Sequence, residues 1–243
     1  MLHPQRLLVP LLLPGIPISL SLAYKATIER AGVSLVGLNA PGHLLLAPAA
    51  TPREFAIDPF VGEELRVGEL EAFVGARLPP GPNREPNRVR AFVHALLERP
   101  MNRYEWTARA LRNLRSIYAS SVPCDHVRLL GAAERTLLVG EACRRDGDER
   151  ARAQPAVPPH EMLQCEREVA LCLFALRDEE RAGEARVLLL QSLHGAHTWE
   201  SGLTPAGKQE LVRLLEHDYF QKARPQPGKK RAVREQGPDG KDD

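Results

Sequence analysis

One short stretch limits the possible folds of this chain more than any other, because it contains four prolines: Pro79, Pro80, Pro82 and Pro86. Proline fixes the backbone φ angle and donates no hydrogen bond, so neither a helix nor a central strand continues through such a stretch. Before it, short apolar segments alternate with turns, and after it, apolar residues recur with helical spacing. The 243 residues therefore divide into a mixed region at 1–78, a linker at 79–87 and a helical region at 88–220.

The first region is predicted to contain a small antiparallel sheet between two helices. Ile18–Ala31 follows a proline and ends just before Gly32, which is typical of a helix. Turns rich in proline and glycine separate three short apolar segments that we interpret as strands: Val33–Asn39, His43–Ala47 and Glu54–Asp58. A second helix is predicted at Glu64–Arg77.

The region after the linker is predicted to be entirely helical. Most candidate helices have apolar residues at i, i+3, i+4 and i+7, and they are Asn87–Glu98, Tyr104–Ala119, Asp125–Cys143, His160–Arg177, Glu180–Leu193 and Thr204–Asp218. Paired helices of this length resemble helical hairpins, and the tetratricopeptide repeat of about 34 residues is the nearest template. Residues 144–159 lack periodicity and are predicted to be a flexible excursion, and residues 221–243 are predicted to be a disordered tail.

Charge and cysteine content argue against several classes of function. The 33 basic residues are nearly balanced by 31 acidic residues, so a net charge of +2 gives no strong field that would attract nucleic acid. The four cysteines have no CxxC spacing, and we predict no metal site and no cofactor. Reduced thiols are expected, with Cys165 and Cys172 on one buried face of a helix.

The N-terminal segment allows two interpretations. Leu7–Ala23 is almost uncharged and ends in a small-x-small pattern, as a secretory signal peptide does. Cleavage after Ala23 would remove the start of the predicted helix, so we favour a cytoplasmic protein over a secreted one. No stretch reaches the ~18 continuous apolar residues of a membrane span, and no membrane partner is expected.

Two further clusters carry weaker signals. His194 and His197 would need another ligand to hold a metal ion, so a polar loop is the preferred interpretation. The basic residues Lys229–Arg231 and Arg234 are similar to a nuclear-import or RNA-contacting cluster, which makes a nuclear location the alternative to the cytoplasm. Neighbouring acidic residues favour a solvated tail instead.

Two residues of the first region are candidates for a catalytic pair. His43 opens one predicted strand and Asp58 closes the next, and antiparallel strands joined by a short connection can place such residues as neighbours. A carboxylate beside an imidazole orients the ring, as in nucleophile–His–Asp sites. The alternative is that both are turn residues, since His43 follows Pro41 and Gly42 and Asp58 precedes Pro59.

Four motifs are similar to those of a known family. They are Gly15-Ile-Pro-Ile-Ser-Leu-Ser21, Asn39-Ala-Pro-Gly-His43, Ile57-Asp-Pro-Phe60 and, after the linker, Arg109-Ala-Leu-Arg-Asn-Leu-Arg-Ser-Ile-Tyr118. In this order they resemble the transglutaminase-like core of the SirB-type proteins, which is also found in a eukaryotic F-box protein. In that family tetratricopeptide-like helices commonly follow the core. The resemblance covers residues 14–66 closely and residues 104–193 loosely.

The resemblance implies an α+β fold, in which a small papain-like core of one central helix on an antiparallel sheet precedes an all-α region. It also implies a cysteine nucleophile at the start of the core helix, where the helix dipole favours a thiolate, with His43 and Asp58 as its partners. In this chain the nucleophile position, counted back from Gly32, is Pro17. No cysteine precedes Cys124, so the core cannot assemble a Cys–His–Asp triad.

We therefore expect a degenerate, non-catalytic transglutaminase-like protein whose helical region binds a protein or peptide partner as a regulatory scaffold. The alternative is an amide-bond hydrolase or transamidase in which His43 is the general base, Asp58 orients it and the nucleophile is unidentified. The family usually has a helical region before the first motif, whereas 14 residues precede Gly15 here, so the core is expected to be short at its N-terminus. The 243 residues contain no F-box, so we do not extend the adaptor role of the F-box protein in ubiquitin ligation to this chain.

Overall fold

A computed structural model describes residues 17–146, 154–195 and 204–222. The predicted excursion at 144–159 lies partly outside these residues, and the predicted tail at 221–243 lies almost entirely outside them. His197 and the basic cluster at 229–234 also lie outside the described residues. No helix in the described ranges is long and apolar enough to cross a membrane.

The first region forms a four-stranded antiparallel sheet flanked by helices. Helix α1 (Pro17–Arg30) precedes four strands that pair in sequence order: β1 (Leu35–Ala40), β2 (His43–Pro48), β3 (Phe55–Asp58) and β4 (Glu63–Arg66). Two helices follow, α2 (Val67–Arg77) and α3 (Pro86–Glu98), with a short 3-10 turn at Pro82–Arg84 between them.

Strand β4 corrects the sequence prediction, which placed the start of a helix at Glu64. The strand pairs with β3 from Asp58 opposite Glu63 to Phe55 opposite Arg66, and the helix begins only at Val67. The apolar spacing of the helix extends backward to Leu65, and this spacing hid the two-residue alternation of a short strand.

Buried side chains on both faces of β2 explain why helices cover the sheet on both sides. Leu45 and Ala47 belong to an apolar cluster with residues of β1, α2 and α3. Leu44 projects from the opposite face, because successive strand residues alternate, and packs with Ile18 of α1 and with Met101. The sheet therefore forms a layer between α1 and the helix pair α2–α3.

Helix α3 begins at Pro86, the last proline of the linker, and packs on the same face of the sheet as α2. Its residues Val89 and Val93 belong to the same buried cluster as Leu70 of α2 and Leu45 of β2. The apolar face of α3 thus completes the core of the first region, and the boundaries of the predicted domains stay a prediction.

The remaining described residues form six helices: α4 (Arg103–Ser120), α5 (His126–Arg145), α6 (Pro159–Ala175), α7 (Ala182–Gly195), α8 (Pro205–Leu215) and α9 (Asp218–Lys222). Each helix from α4 to α7 packs against the next one along the chain. A buried cluster that includes Leu173, Leu189 and Phe220 joins α6, α7 and α9. The predicted α+β class, with a sheet-containing region followed by an all-α region, is confirmed.

Charged side chains that are buried between α4 and α6 are paired with one another. The guanidinium of Arg115 is 5% exposed and donates to Glu161 and Glu168 over distances of 2.7 to 3.0 Å. Arg112 donates a further hydrogen bond to Glu161 at 3.0 Å. Such charge-assisted bonds offset the cost of removing these groups from water.

The four cysteines are free thiols. Cys165 and Cys172 are both buried on α6, as their spacing of seven residues predicted. Burial raises the pKa of each of these two thiols to about 12.

Candidate functional site

The structure brings His43 and Asp58 together across the β2–β3 pair. Leu46 pairs with Ile57, which puts Leu45 opposite Asp58, and His43 lies two residues earlier on the same face of the sheet. The Nε2 atom of His43 lies 3.0 Å from each carboxylate oxygen of Asp58. The two residues are therefore diagonal neighbours joined by a hydrogen bond.

Asp58 holds its position through backbone contacts as well. It is 3% exposed, and its Oδ1 atom accepts hydrogen bonds from the backbone N–H groups of Phe60 at 2.9 Å and Val61 at 3.4 Å. The carboxylate thus caps the β3–β4 turn and orients the imidazole at the same time. Both interpretations that the sequence left open for Asp58 describe part of what this side chain does.

Aromatic side chains hold the imidazole of His43 from the sides. Its ring packs edge-on against Phe73 of α2 and Phe60 of the turn, with centroid distances of 5.4 and 6.4 Å. The His43 side chain keeps 15% of its surface exposed. Within the described residues no hydrogen-bond partner reaches its second ring nitrogen, Nδ1. The ring is thus held by Asp58 and by two aromatic side chains.

A cavity of about 250 Å³ lies next to His43. Helix α1 and the β1–β2 hairpin provide Ile18, Gly42, His43 and Leu44, and helix α4 provides Arg109, Asn113, Ser116 and Ile117. Gly42 occupies the hairpin turn with a φ angle of +64°, a left-handed conformation that glycine adopts without strain. Asp58 does not line the cavity.

Arg109 carries a positive charge on the α4 side of the cavity. Its Nη1 atom donates to the side-chain oxygen of Asn39, and the backbone oxygen of Ala40 lies 3.5 Å away. Burial, together with the like charge of Arg112, lowers the pKa of Arg109. Across the described part of the chain, no carboxylate forms an ion pair with this guanidinium.

The start of α1 lies beside the same cavity. Helix α1 begins at Pro17, and the next residue, Ile18, lines the cavity together with His43. The position that the family resemblance assigns to the nucleophile is therefore next to a cavity-lining residue, and proline supplies neither a nucleophile nor a backbone N–H there. The first cysteine, Cys124, lies between α4 and α5, where its Sγ atom is 3.6 Å from Nδ1 of His126.

Sequence reasoning did not identify the contribution of α4 to this site. Arg109, Asn113 and Ser116 belong to a motif that marked only the junction between the two regions. Their spacing of four and then three residues places them on one face of the helix, and this spacing was the available signal. The approach of that face to the β1–β2 turn is a tertiary contact that no local pattern contains.

Of the second histidine cluster, His194 lies within the described residues and His197 does not. The Nδ1 atom of His194 lies 2.8 Å from the backbone oxygen of Leu190, and His194 is exposed at the end of α7. No group of three potential metal ligands occurs in the described ranges.

Comparison with known proteins identifies the first region. Residues 14–111 match the family described as the Transglutaminase-like superfamily. This range contains α1, the whole sheet, α2, α3 and the first half of α4, and it includes His43, Asp58 and Arg109. The chain therefore contains a transglutaminase-like domain followed by further helices. No curated protein and no solved structure matches the chain.

Proposed function

We propose that this protein is a degenerate transglutaminase-like protein, of the SirB type in its sequence motifs, that binds a protein or peptide partner without catalysing a reaction. The observation that carries the proposal is that α1 begins with Pro17, next to the cavity-lining Ile18, while the His43–Asp58 pair is complete. In thiol catalysis the imidazole takes the proton of a nucleophile at this position, and proline has no such proton to give.

The helical region is the proposed surface for the partner. Val127 and Leu138 of α5 are 66% and 63% exposed. They are eleven positions apart, so at about 100° per residue they lie on the same side of the helix. Exposed large apolar residues aligned on one helix face are suited to contact with another protein. This surface supports the scaffold part of the proposal.

A second candidate function rests on the geometry of the pair itself. The carboxylate of Asp58 orients the ring of His43, Nδ1 has no partner among the described residues, and His43 is one of the residues that line a cavity. An imidazole held in this way is suited to act as a general base toward a water molecule. The alternative is therefore an amide-bond hydrolase in which water replaces the missing nucleophile.

An assay of amine incorporation and amide hydrolysis separates the two candidates. The parent chain, His43→Ala and Pro17→Cys are compared, with a thermal melt of each to verify folding. We expect no activity in the parent and measurable activity in Pro17→Cys, which has a thiol at the start of α1. Activity in the parent that disappears in His43→Ala would instead establish the hydrolase.

The partner surface is tested by capture of interacting proteins on the immobilised full chain. We expect the double variant Val127→Lys/Leu138→Lys to lose proteins that the parent retains. The matched control is Val212→Lys, which changes an exposed apolar residue on α8, a different helix. Equal retention by the parent and the double variant would contradict the assignment of this surface.

A further inference from the structure

We propose that the cavity beside His43 binds a carboxylate group carried on a short aliphatic chain. This inference deepens the proposed function, on which it rests, because it gives the chemical class of ligand for the same site. It is argued from the charge, the polar groups, the apolar walls and the size of the cavity.

The charge of the cavity comes from Arg109. This half-buried guanidinium contacts two neutral acceptors, Asn39 and Ala40, and no carboxylate of the described residues pairs with it. Arginine keeps its charge in proteins, and its strongest partners are carboxylates, which accept two parallel N–H bonds. A carboxylate in the cavity would therefore give Arg109 the partner that the described part of the protein does not supply.

Further polar groups line the cavity near this charge. Asn113 and Ser116 follow Arg109 on the same face of α4 and line the cavity with it. The described residues supply no hydrogen-bond partner to the side chains of Asn113 and Ser116. An amide N–H and a hydroxyl near one guanidinium form the small set of convergent polar groups that fixes a ligand in a pocket.

The apolar walls and the volume limit the size of the ligand. Ile18, Leu44 and Ile117 line the same space and would contact methylene groups. The volume of about 250 Å³ is below the range of roughly 300–1,000 Å³ that is typical of drug-sized ligands. The cavity therefore fits one side chain or one small acid.

The charges also favour a carboxylate over a phosphate. A phosphate monoester carries a charge of about −1.5 to −2 at neutral pH, and Arg109 provides a single positive charge. Asp58 does not line the cavity, so a bound carboxylate would not face this carboxylate directly. One guanidinium with neutral donors around it is matched to one negative charge.

Titration of the isotope-labelled full chain, followed by NMR of its backbone amides, tests the inference. The probes are free pentanoate, blocked glutamate (N-acetyl-glutamate methylamide) and, as an isosteric neutral control, blocked glutamine. We expect a carboxylate probe to shift the amide signals of Gly42 and Ser116, and blocked glutamine to bind at least about tenfold more weakly than blocked glutamate. Tighter binding of blocked glutamate would identify an acidic side chain as the source, and tighter binding of pentanoate would identify a free small acid.

Variants at Ser116 make the test independent of the folding role of Arg109, which contacts the β1–β2 turn. Ser116 is exposed, and Ser116→Asp would place a competing carboxylate at the cavity, so we expect a loss of binding of at least about tenfold. Ser116→Asn has the shape of aspartate without its charge and should bind more tightly than Ser116→Asp. Ser120→Asp, one turn away and outside the cavity lining, should keep binding within about threefold.

Two results would overturn the inference: equal binding of blocked glutamate and blocked glutamine, or the absence of shifts at Gly42 and Ser116 with both carboxylates. Its failure is distinguishable from failure of the proposed function. Amine incorporation by the parent would overturn the proposed function and leave carboxylate binding intact. An inactive parent that shows no carboxylate preference would overturn this inference alone.

Discussion

Helix α4 contributes polar side chains to two regions of the molecule, and the two regions differ in how these side chains are satisfied. Toward α6, Arg115 is enclosed and both of its carboxylate partners, Glu161 and Glu168, are in contact with it. Toward the hairpin, Arg109 contacts neutral groups only and borders a cavity. A buried group whose hydrogen bonds are complete contributes to stability, whereas a group with unused donors beside a cavity is a candidate for binding.

The largest expected effect concerns the ion pairs of Arg115 between α4 and α6. Arg115→Met would leave Glu161 and Glu168 between α4 and α6 without their main partner, and removal of one partner from a buried ion pair costs about 3–5 kcal/mol. Urea unfolding of the parent and the variant measures this loss. Arg53→Met is the control, because the Arg53 side chain is 67% exposed in its ion pair with Glu98, and its loss should cost no more than about 1 kcal/mol. Equal losses would contradict the distinction between the two pairs.

The next effect tests the contact that joins the two regions. A Cβ atom added at Gly37 of β1 would overlap the indole ring of Trp106 on α4. Gly37→Ala is therefore expected to lower the free energy of unfolding by about 1–3 kcal/mol, as overpacking does. Gly68→Ala is the matched control, because it adds the same methyl group to open space in α2 and should be neutral or slightly stabilising. A neutral Gly37→Ala would show that α4 does not pack tightly on β1.

A smaller effect concerns the site itself. Asp58→Ala removes the acceptor of the His43, Phe60 and Val61 hydrogen bonds, and we expect a loss of about 1–3 kcal/mol in urea unfolding. Asp58→Asn keeps an oxygen for the backbone N–H groups and should retain most of the stability. If both variants were equally destabilised, the charge of the carboxylate would matter more than its role as a turn cap.

The smallest effect comes from the buried thiols of the helical region. Burial raises the pKa of Cys165 to about 12, whereas a thiol in the unfolded chain ionises near about 8.5. Between these values the unfolded chain loses a proton that the folded chain keeps, so the free energy of unfolding falls as the pH rises. Urea unfolding at about pH 8 and about pH 10 should show a smaller decrease for Cys165→Ala than for the parent. A decrease for Cys165→Ala as large as that of the parent would contradict the prediction.

The sequence predicted those parts of the fold that depend on local chemistry. Proline before α1 and Gly32 after it indicated a helix that the structure places at Pro17–Arg30, within one residue of the predicted bounds. The turn residues at Pro41 and Gly42 likewise separated β1 from β2 correctly. Strand β4 was missed, because four residues beside a helix carry too little alternation to be distinguished from its first turn.

For the site too, the sequence identified the residues whose positions depend on local pattern and missed those that a tertiary contact brings in. His43 and Asp58 were identified from strand positions and motif spacing, and both lie where antiparallel pairing brings them together. Arg109, Asn113 and Ser116 were not identified as site residues, because the sequence shows that they share a helix face and does not show which surface that face meets. Only the packing of α4 against α1 and the β1–β2 turn makes them part of the cavity.

The central claim is that the start of α1 is a nucleophile position disarmed by Pro17. The most direct test is the rate at which iodoacetamide alkylates the thiol introduced by Pro17→Cys, measured at about pH 6.5 in a Cys124→Ser background with and without His43→Ala. We predict that the thiol reacts at least about tenfold faster when His43 is present, because an adjacent imidazole and the helix start favour the thiolate. Equal rates in the two proteins would show that position 17 does not face His43 and would contradict the claim.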